Sequence, residues 1–229
     1  MSVLSSSRRV HNDVNEYEEN SDRKIPFSSY YIIKVDLSKA TSTPKTVINS
    51  AKYVLRSGTK YGSIVNLPLA AYTFDNEIYF LYSCIDQGEH YRSGSHQLIC
   101  SEMASLLTRE HNGLVLCSII EFDSRTKIYA YFQDKIVENS RKKIVGLSKG
   151  TITKKEAHSL TLTECEAALM ERAGISWSEI PNNDRFGVFY KYICEENKSE
   201  AVKTEKFSVL SEMINFRDLD KYEKYLFGS

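Results

Sequence analysis

Apolar positions along the chain recur with two different periods, and the switches between them mark out the elements. Ser28 to Asp36 (SSYYIIKVD) is an aromatic and β-branched run closed by an acid, the pattern of a buried strand. From Thr46 to Arg56 the residues Val47, Ala51, Val54 and Leu55 recur at helical spacing, with Pro44 and Thr46 suited to the helix start. Ser63 to Thr73 and Glu77 to Ile85 (EIYFLYSCI) read as two strands, and the polar tripeptide Asp75-Asn76-Glu77 near their junction predicts a hairpin. Ile99, Met103, Leu106 and Leu107 predict a second helix over Ser95 to Glu110, stopped by His111-Asn112-Gly113. Leu114 to Phe122 (LVLCSIIEF) is a further strand.

In order these give β-α-β-β-α-β, the ferredoxin-like arrangement, an α+β fold with an antiparallel sheet and its helices on one face. The first and third of these strands are then central neighbours, which brings Asp36 close to Asp75 and Glu77. Beyond Phe122 helices are expected over Asp134 to Leu147 and Thr163 to Ala173, a short strand over Phe186 to Ile193, and a terminal helix over Phe207 to Phe216. With no internal repeat or long linker, the expected organisation is a polar tail at 1–24, a core domain at 25–130 and a helical extension of the same domain at 131–229.

Composition narrows the function classes. The 229 residues can bury a real core, and 41% hydrophobic with 26% charged side chains is ordinary globular usage. No apolar run nears the roughly 20 residues needed to cross a bilayer, so no membrane partner is expected. Five separated cysteines, Cys84, Cys100, Cys117, Cys165 and Cys194, form no CxxC pair, and buried free thiols are expected. Met1 to Arg9 is serine-rich and basic without an apolar stretch, and the expected location is cytoplasmic. The 30 basic side chains balance the 30 acidic ones, which argues against coating nucleic acid by bulk charge.

Charge is nonetheless segregated. Between Asn139 and Lys155 lie Arg141, Lys142, Lys143, Lys149, Lys154 and Lys155 with no acid among them, a run able to hold triphosphate or RNA phosphates or simply to form a solvated face. Carboxylates at a sheet edge are what magnesium-dependent phosphoryl or nucleotidyl transfer needs, and Asp36, closing an apolar strand, is the leading candidate. An Asp in that place also serves as plain turn chemistry. The 15 tyrosines suit base stacking, but many sit in predicted strands, where a half-buried core position is the ordinary role. No HExxH, GxSxG, Walker A or GxGxxG string occurs, which leaves zinc hydrolysis and nucleophile-elbow chemistry without support.

Five segments, in order, resemble the tRNA-His guanylyltransferase-like family, the 3′–5′ polymerases, over about Glu16 to Lys191. They are Tyr31-Ile-Ile-Lys-Val-Asp36, Ala71-Tyr-Thr-Phe-Asp-Asn-Glu-Ile78, Glu121-Phe-Asp-Ser-Arg125, Tyr131-Phe-Gln133 through Asn139-Ser140, and Gly174-Ile-Ser-Trp-Ser-Glu-Ile-Pro181 followed by Arg185-Phe-Gly187. The resemblance implies a palm-like catalytic domain, two magnesium ions, GTP and ATP as nucleotides, and addition of a nucleotide to the 5′ end of tRNA. It also implies a homo-oligomer, a tetramer in the family. By the same resemblance Asp36, the Leu37 carbonyl, Asp75 and Asn76 fall at metal positions, with Asp36, Asp75 and Asn76 the catalytic set. Leu37, Ser38, Lys39, Ala40, Thr41, Asp75, Asn76 and Asn139 fall at nucleotide positions, and the basic run faces phosphate.

Two departures fall on the metal positions themselves. Leu37 stands where the family has Gly, and its Cβ hinders close phosphate approach. Asn76 stands where the family has its second metal-binding Asp and offers a neutral oxygen. Strand alternation sets Asp75 and Glu77 on the face opposite Asn76, unless a bulge turns Asp75 inward. Two readings follow: an active nucleotidyltransferase, or a nucleotide- or RNA-binding relative that kept the fold and lost the metal pair.

Overall fold

A computed structural model describes residues 30–61, 64–83, 93–197, 202–214 and 219–227. Strand β1 (Tyr30–Ala40) leads through Thr43 into helix α1 (Pro44–Ser57). Thr43 and Thr46 form a capping box there, and Pro44 fills the first helical position, where a missing N–H costs nothing. A small hairpin, β2 (Thr59–Tyr61) and β3 (Ile64–Asn66), precedes the main hairpin of β4 (Ala70–Phe74) and β5 (Glu77–Ser83). Then come α2 (Ser93–His111) and β6 (Gly113–Phe122). A helical excursion follows: α3 (Arg125–Leu147), α4 (Lys154–Ser159), α5 (Leu162–Ala173), a 3-10 turn (Trp177–Glu179) and α6 (Asn182–Phe186). Strands β7 (Val188–Asn197) and β8 (Val202–Leu210) and a last helix, α7 (Leu219–Tyr222) running into a π-helical turn (Glu223–Phe227), complete the described chain.

The six long strands make one antiparallel sheet in the order β6-β1-β5-β4-β7-β8. Side chains alternate across it, so the two faces carry separate cores. On one face Tyr31, Ile33, Val35 and Leu37 of β1 pack with Val47, Ala51 and Val54 of α1 and Ile99, Met103 and Leu107 of α2. On the other, Tyr30, Ile32, Tyr72, Tyr79 and Phe189 pack beneath Ile128, Phe132 and Ile136 of α3. A third cluster, around Ile144, Cys165, Leu169 and Trp177, ties α3 to α5 and the 3-10 turn. Gly187, at φ 73°, lies so close to β4 that a Cβ would meet the Tyr72 hydroxyl at 2.5 Å and the Thr73 carbonyl at 2.6 Å.

The βαββαβ core and the central pairing of β1 with β5 stand as expected, and the fold is α+β. The helix expected over Phe207 to Phe216 is not formed among the described residues: 207–210 belong to β8, which pairs along β7, 211–214 are irregular, and 215–216 lie outside the described residues. Phe207, Leu210 and Ile214 have helix-like spacing, but pairing with an available edge decides the outcome for the first part of the segment. The region beyond residue 131 therefore adds two strands to the core sheet as well as helices. Of the expected buried thiols, Cys165 is buried, Cys100 and Cys117 are half-buried and Cys194 is exposed, all free. Cys84 and the tail at 1–24 lie outside the described residues. Among the described residues no helix is long and apolar enough to cross a membrane.

Candidate functional site

The site is built where β1 ends against the β4–β5 turn. Asp36 lies opposite Glu77 on β5 and opposite Leu116 on β6, and the β1–β6 register then shifts through a bulge before Lys39 meets Leu114. The Leu37 N–H donates to the Asn76 carbonyl at 2.8 Å, which carries the β1–β5 pairing right up to the turn. Gly113 holds β6 against this end, for a Cβ there would lie 2.6 Å from the Ala40 Cα. Leu37 to Ala40, expected as a triphosphate loop, are thus strand, and only Thr41 to Thr43 form a loop. The Leu37 side chain points into the helical core and is fully buried, while Ser38, Lys39 and Thr41 are exposed and Ala40 is half-buried.

Asp36 shares its face with Lys34, and their partners on β5 are Glu77 and Tyr79. Lys34 Nζ lies 2.6 Å from Glu77 Oε1, and the Tyr79 hydroxyl donates to Glu77 Oε2 at 2.8 Å. Burial works against the charge on Glu77, but the Lys34 and Tyr79 hydrogen bonds and the nearby Lys34 and Lys142 charges prevail and lower its pKa. Asp36 follows the same logic: partial burial is outweighed by hydrogen bonds from Ser38, one from its N–H at 2.8 Å, and by the Lys34 and Lys39 charges, so its carboxyl sits below the usual value. Burial and the Glu77 carboxylate drive the Tyr79 phenol far upward, so it remains a donor.

Asp75 and Asn76 are not strand residues. They form the two-residue turn between Phe74 and Glu77, both exposed, with Asp75 at φ 47°, a conformation Asp tolerates better than most residues. Alternation therefore does not set their direction. The Asn76 Oδ1 accepts a hydrogen bond from the Ser42 hydroxyl at 3.0 Å, which ties the turn to the 41–43 loop. Sequence reasoning missed Ser42 and Lys34. Lys34 was legible in principle, since it lies two residues before Asp36 on the same strand face.

The basic run does not form one surface. Lys142 pairs with Glu138 at 2.9 Å on the sheet side of α3, and burial, which works against its charge, is outweighed by Glu138, Glu77 and Asp75, raising its pKa. Arg141 is a brace, donating to the Leu160 carbonyl at 2.7 Å. Lys143 is half-buried, whereas Lys149, Lys154 and Lys155 are exposed around the turn from α3 to α4. Asn139, expected at the nucleotide, is 0% exposed, and its amide donates to the Tyr72 hydroxyl at 3.3 Å, which donates in turn to the Phe186 carbonyl at 2.8 Å. It positions the Arg185-Phe186-Gly187 segment against the sheet rather than facing solvent.

These donors suit one hard cation better than two. Ionised Asp36, cross-strand from Glu77 at the turn, can help hold a magnesium ion that arrives with a triphosphate, since magnesium keeps phosphates and waters among its ligands. A second ion lacks its acid: Asn76 is neutral and engaged by Ser42, and Glu77 is neutralised by Lys34. Among the described residues no group of three or more His, Cys, Asp or Glu side chains converges as a metal centre would.

No protein-family model matches the sequence, and no curated protein matches it. Solved structures do. A bacterial tRNA(His) guanylyltransferase-like protein in complex with ATP superposes with a TM-score of 0.58 at 14% identity, over 95% of this chain and 99% of that one. A bacterial tRNA(His) guanylyltransferase-like protein in complex with GTP gives 0.50 at 17% identity, over 96% and 99%. The fold described above is thus shared with these proteins along nearly the whole chain.

Proposed function

We propose that the protein is a nucleotidyltransferase of the tRNA-His guanylyltransferase-like family, which holds a nucleoside triphosphate, GTP or ATP, at the Asp36 end of β1 and adds a nucleotide to the 5′ end of tRNA. One observation carries the reading. On a fold shared with such proteins, the best-matched acid, Asp36, remains ionised and cross-strand from the 75–77 segment. Asp36, the Leu37 carbonyl and Asn76 would hold a magnesium ion, with Asp75 beside them, and the ion would supply charge neutralisation to the triphosphate. Ser38, Lys39, Ala40 and Thr41 line the approach, and the exposed Lys149, Lys154 and Lys155 offer phosphate contacts to RNA. A homo-oligomer belongs to this reading.

A second reading is favoured by one specific observation, the ion pair that takes Glu77 together with the neutral Asn76. In it the protein binds nucleotide and RNA without transfer. Labelled-nucleotide addition to 5′-monophosphorylated and 5′-triphosphorylated tRNA, with all four nucleotides and magnesium, separates the two. Incorporation that Asp36→Ala abolishes establishes the first. Nucleotide binding without incorporation, with incorporation gained in Asn76→Asp, establishes the second, and absence of both nucleotide and tRNA binding rejects both.

A further inference from the structure

The helical face of the sheet carries a cavity that the nucleotidyltransferase reading leaves unused. It holds about 440 Å³ between α1, the carboxy-terminal end of α2 and β8, and His111 and Glu110 form one wall. Asp36 lies on the opposite face of the sheet, since it shares strand parity with Tyr30 and Ile32, whereas Tyr190 and Phe207 beside the cavity belong to the α1–α2 face.

The chemistry of the wall follows from hydrogen-bond inventory. Ser50 Oγ lies 2.9 Å from Glu110 Oε2 and 2.8 Å from His111 Nε2. A carboxylate only accepts, so the one Ser50 proton goes to Glu110, and Ser50 must accept from a protonated Nε2. Burial lowers the His111 pKa against the opposing pull of Glu110, so the ring is neutral near pH 7 and carries no second proton. Its Nδ1 is therefore a bare acceptor. His111 is only 2% exposed, and Nδ1 has no partner. Nδ1 is closed to solvent, so His111 serves the cavity as a fixed wall held by Ser50 rather than as a contact for its occupant.

Opposite stand two cations. Lys52 is fixed over the rings of Tyr190 and Phe207, at 5.5 and 5.4 Å from their centroids, and Arg56 lies one helical turn further on. Among the described residues neither is paired with a carboxylate, so two positive charges face the single carboxylate of Glu110. Tyr53 and Phe207 add flat apolar wall. A ring that stacks on the exposed Tyr53 and a dianion for Lys52 and Arg56 are needed in one molecule of this size.

We propose that this cavity is a second ligand site whose occupant is a nucleoside monophosphate. The test is calorimetric titration of the full chain with AMP, GMP, CMP and UMP and with inorganic phosphate, in the Asp36→Ala background to silence the other face. Saturable 1:1 binding of at least one nucleotide is expected, weakened about tenfold or more by Arg56→Ala and by Tyr53→Ala. Arg56 and Tyr53 are exposed enough for both variants to keep the fold, which an unchanged melting temperature checks. Absence of saturable binding, indifference to both substitutions, or phosphate alone binding as tightly as the nucleotide would each overturn the proposal.

Discussion

At the residue scale, the Asp36 end of the sheet is governed by lysine. Lys34 and Tyr79 turn Glu77 into a structural ion, and Lys34 and Lys39 keep Asp36 charged. On α3, Glu138 is held between Lys135 and Lys142, and although burial opposes it, their hydrogen bonds and charges pull its pKa down to about 2. A carboxyl with a depressed folded pKa stabilises the fold above its unfolded value and loses that contribution as pH falls through the folded one. Stability owed to Glu138 should therefore be complete above about pH 4.5 and decline toward pH 2, with Asp36 and Glu77 adding losses of the same sign. Denaturant titrations between pH 6 and 2.5 check this, and Lys34→Met should weaken the Glu77 share of the acid dependence. Gly187→Ala combines a positive φ with a clash against Tyr72 and Thr73, and should cost more than about 2 kcal/mol by thermal or urea unfolding. Asp36 was legible in the sequence because an acid follows an apolar run, although the strand itself continues to Ala40. Ser42 and His111 were not, because their roles depend on partners 34 and 61 positions away.

At the element scale, local signals were reliable where they were self-contained. Helix α5 shows why: the Thr161 side chain accepts from the Glu164 N–H, and Glu164 reaches back to the Thr161 N–H at 2.7 Å, while Gly174 closes the helix in the left-handed region. Thr161→Ala should cost about 0.5–2 kcal/mol. Hydrogen exchange should show faster opening at 162–166 than in the β1–β5 ladder. Elements whose identity depends on a partner were harder to read. Strand β8 has a pattern compatible with either structure and became strand because β7 offered an edge. The segment Leu37 to Ala40 likewise became strand because β6, admitted by Gly113, pairs with it past a bulge. Asn139 reads as an exposed polar residue of a helix, but its turn of α3 faces Tyr72 in the core.

At the scale of the whole molecule, zero net charge hides an uneven surface. Lys149, Lys154 and Lys155 cluster at one turn, away from the ion pairs that absorb Lys135 and Lys142. If they meet RNA phosphates, the logarithm of affinity falls linearly with that of salt, by about 0.7–0.9 per phosphate neutralised. Double reversal of Lys154 and Lys155 to Glu should flatten that slope by about 1.4–1.8, read by fluorescence anisotropy across a salt series.

The sheet order has a temporal consequence. The β4–β5 and β7–β8 pairs close short loops, but Thr73 meets Val188 across 115 positions, and the whole run from α2 to α6 lies between them. Closing so long a loop is entropically slow compared with forming either pair. During refolding, amides of the β4–β5 pair should gain exchange protection before those shared by β4 and β7. Until that late seam shuts, the outer edge of β4 is unpaired backbone, the moment at which a nascent chain is most open to capture by another strand.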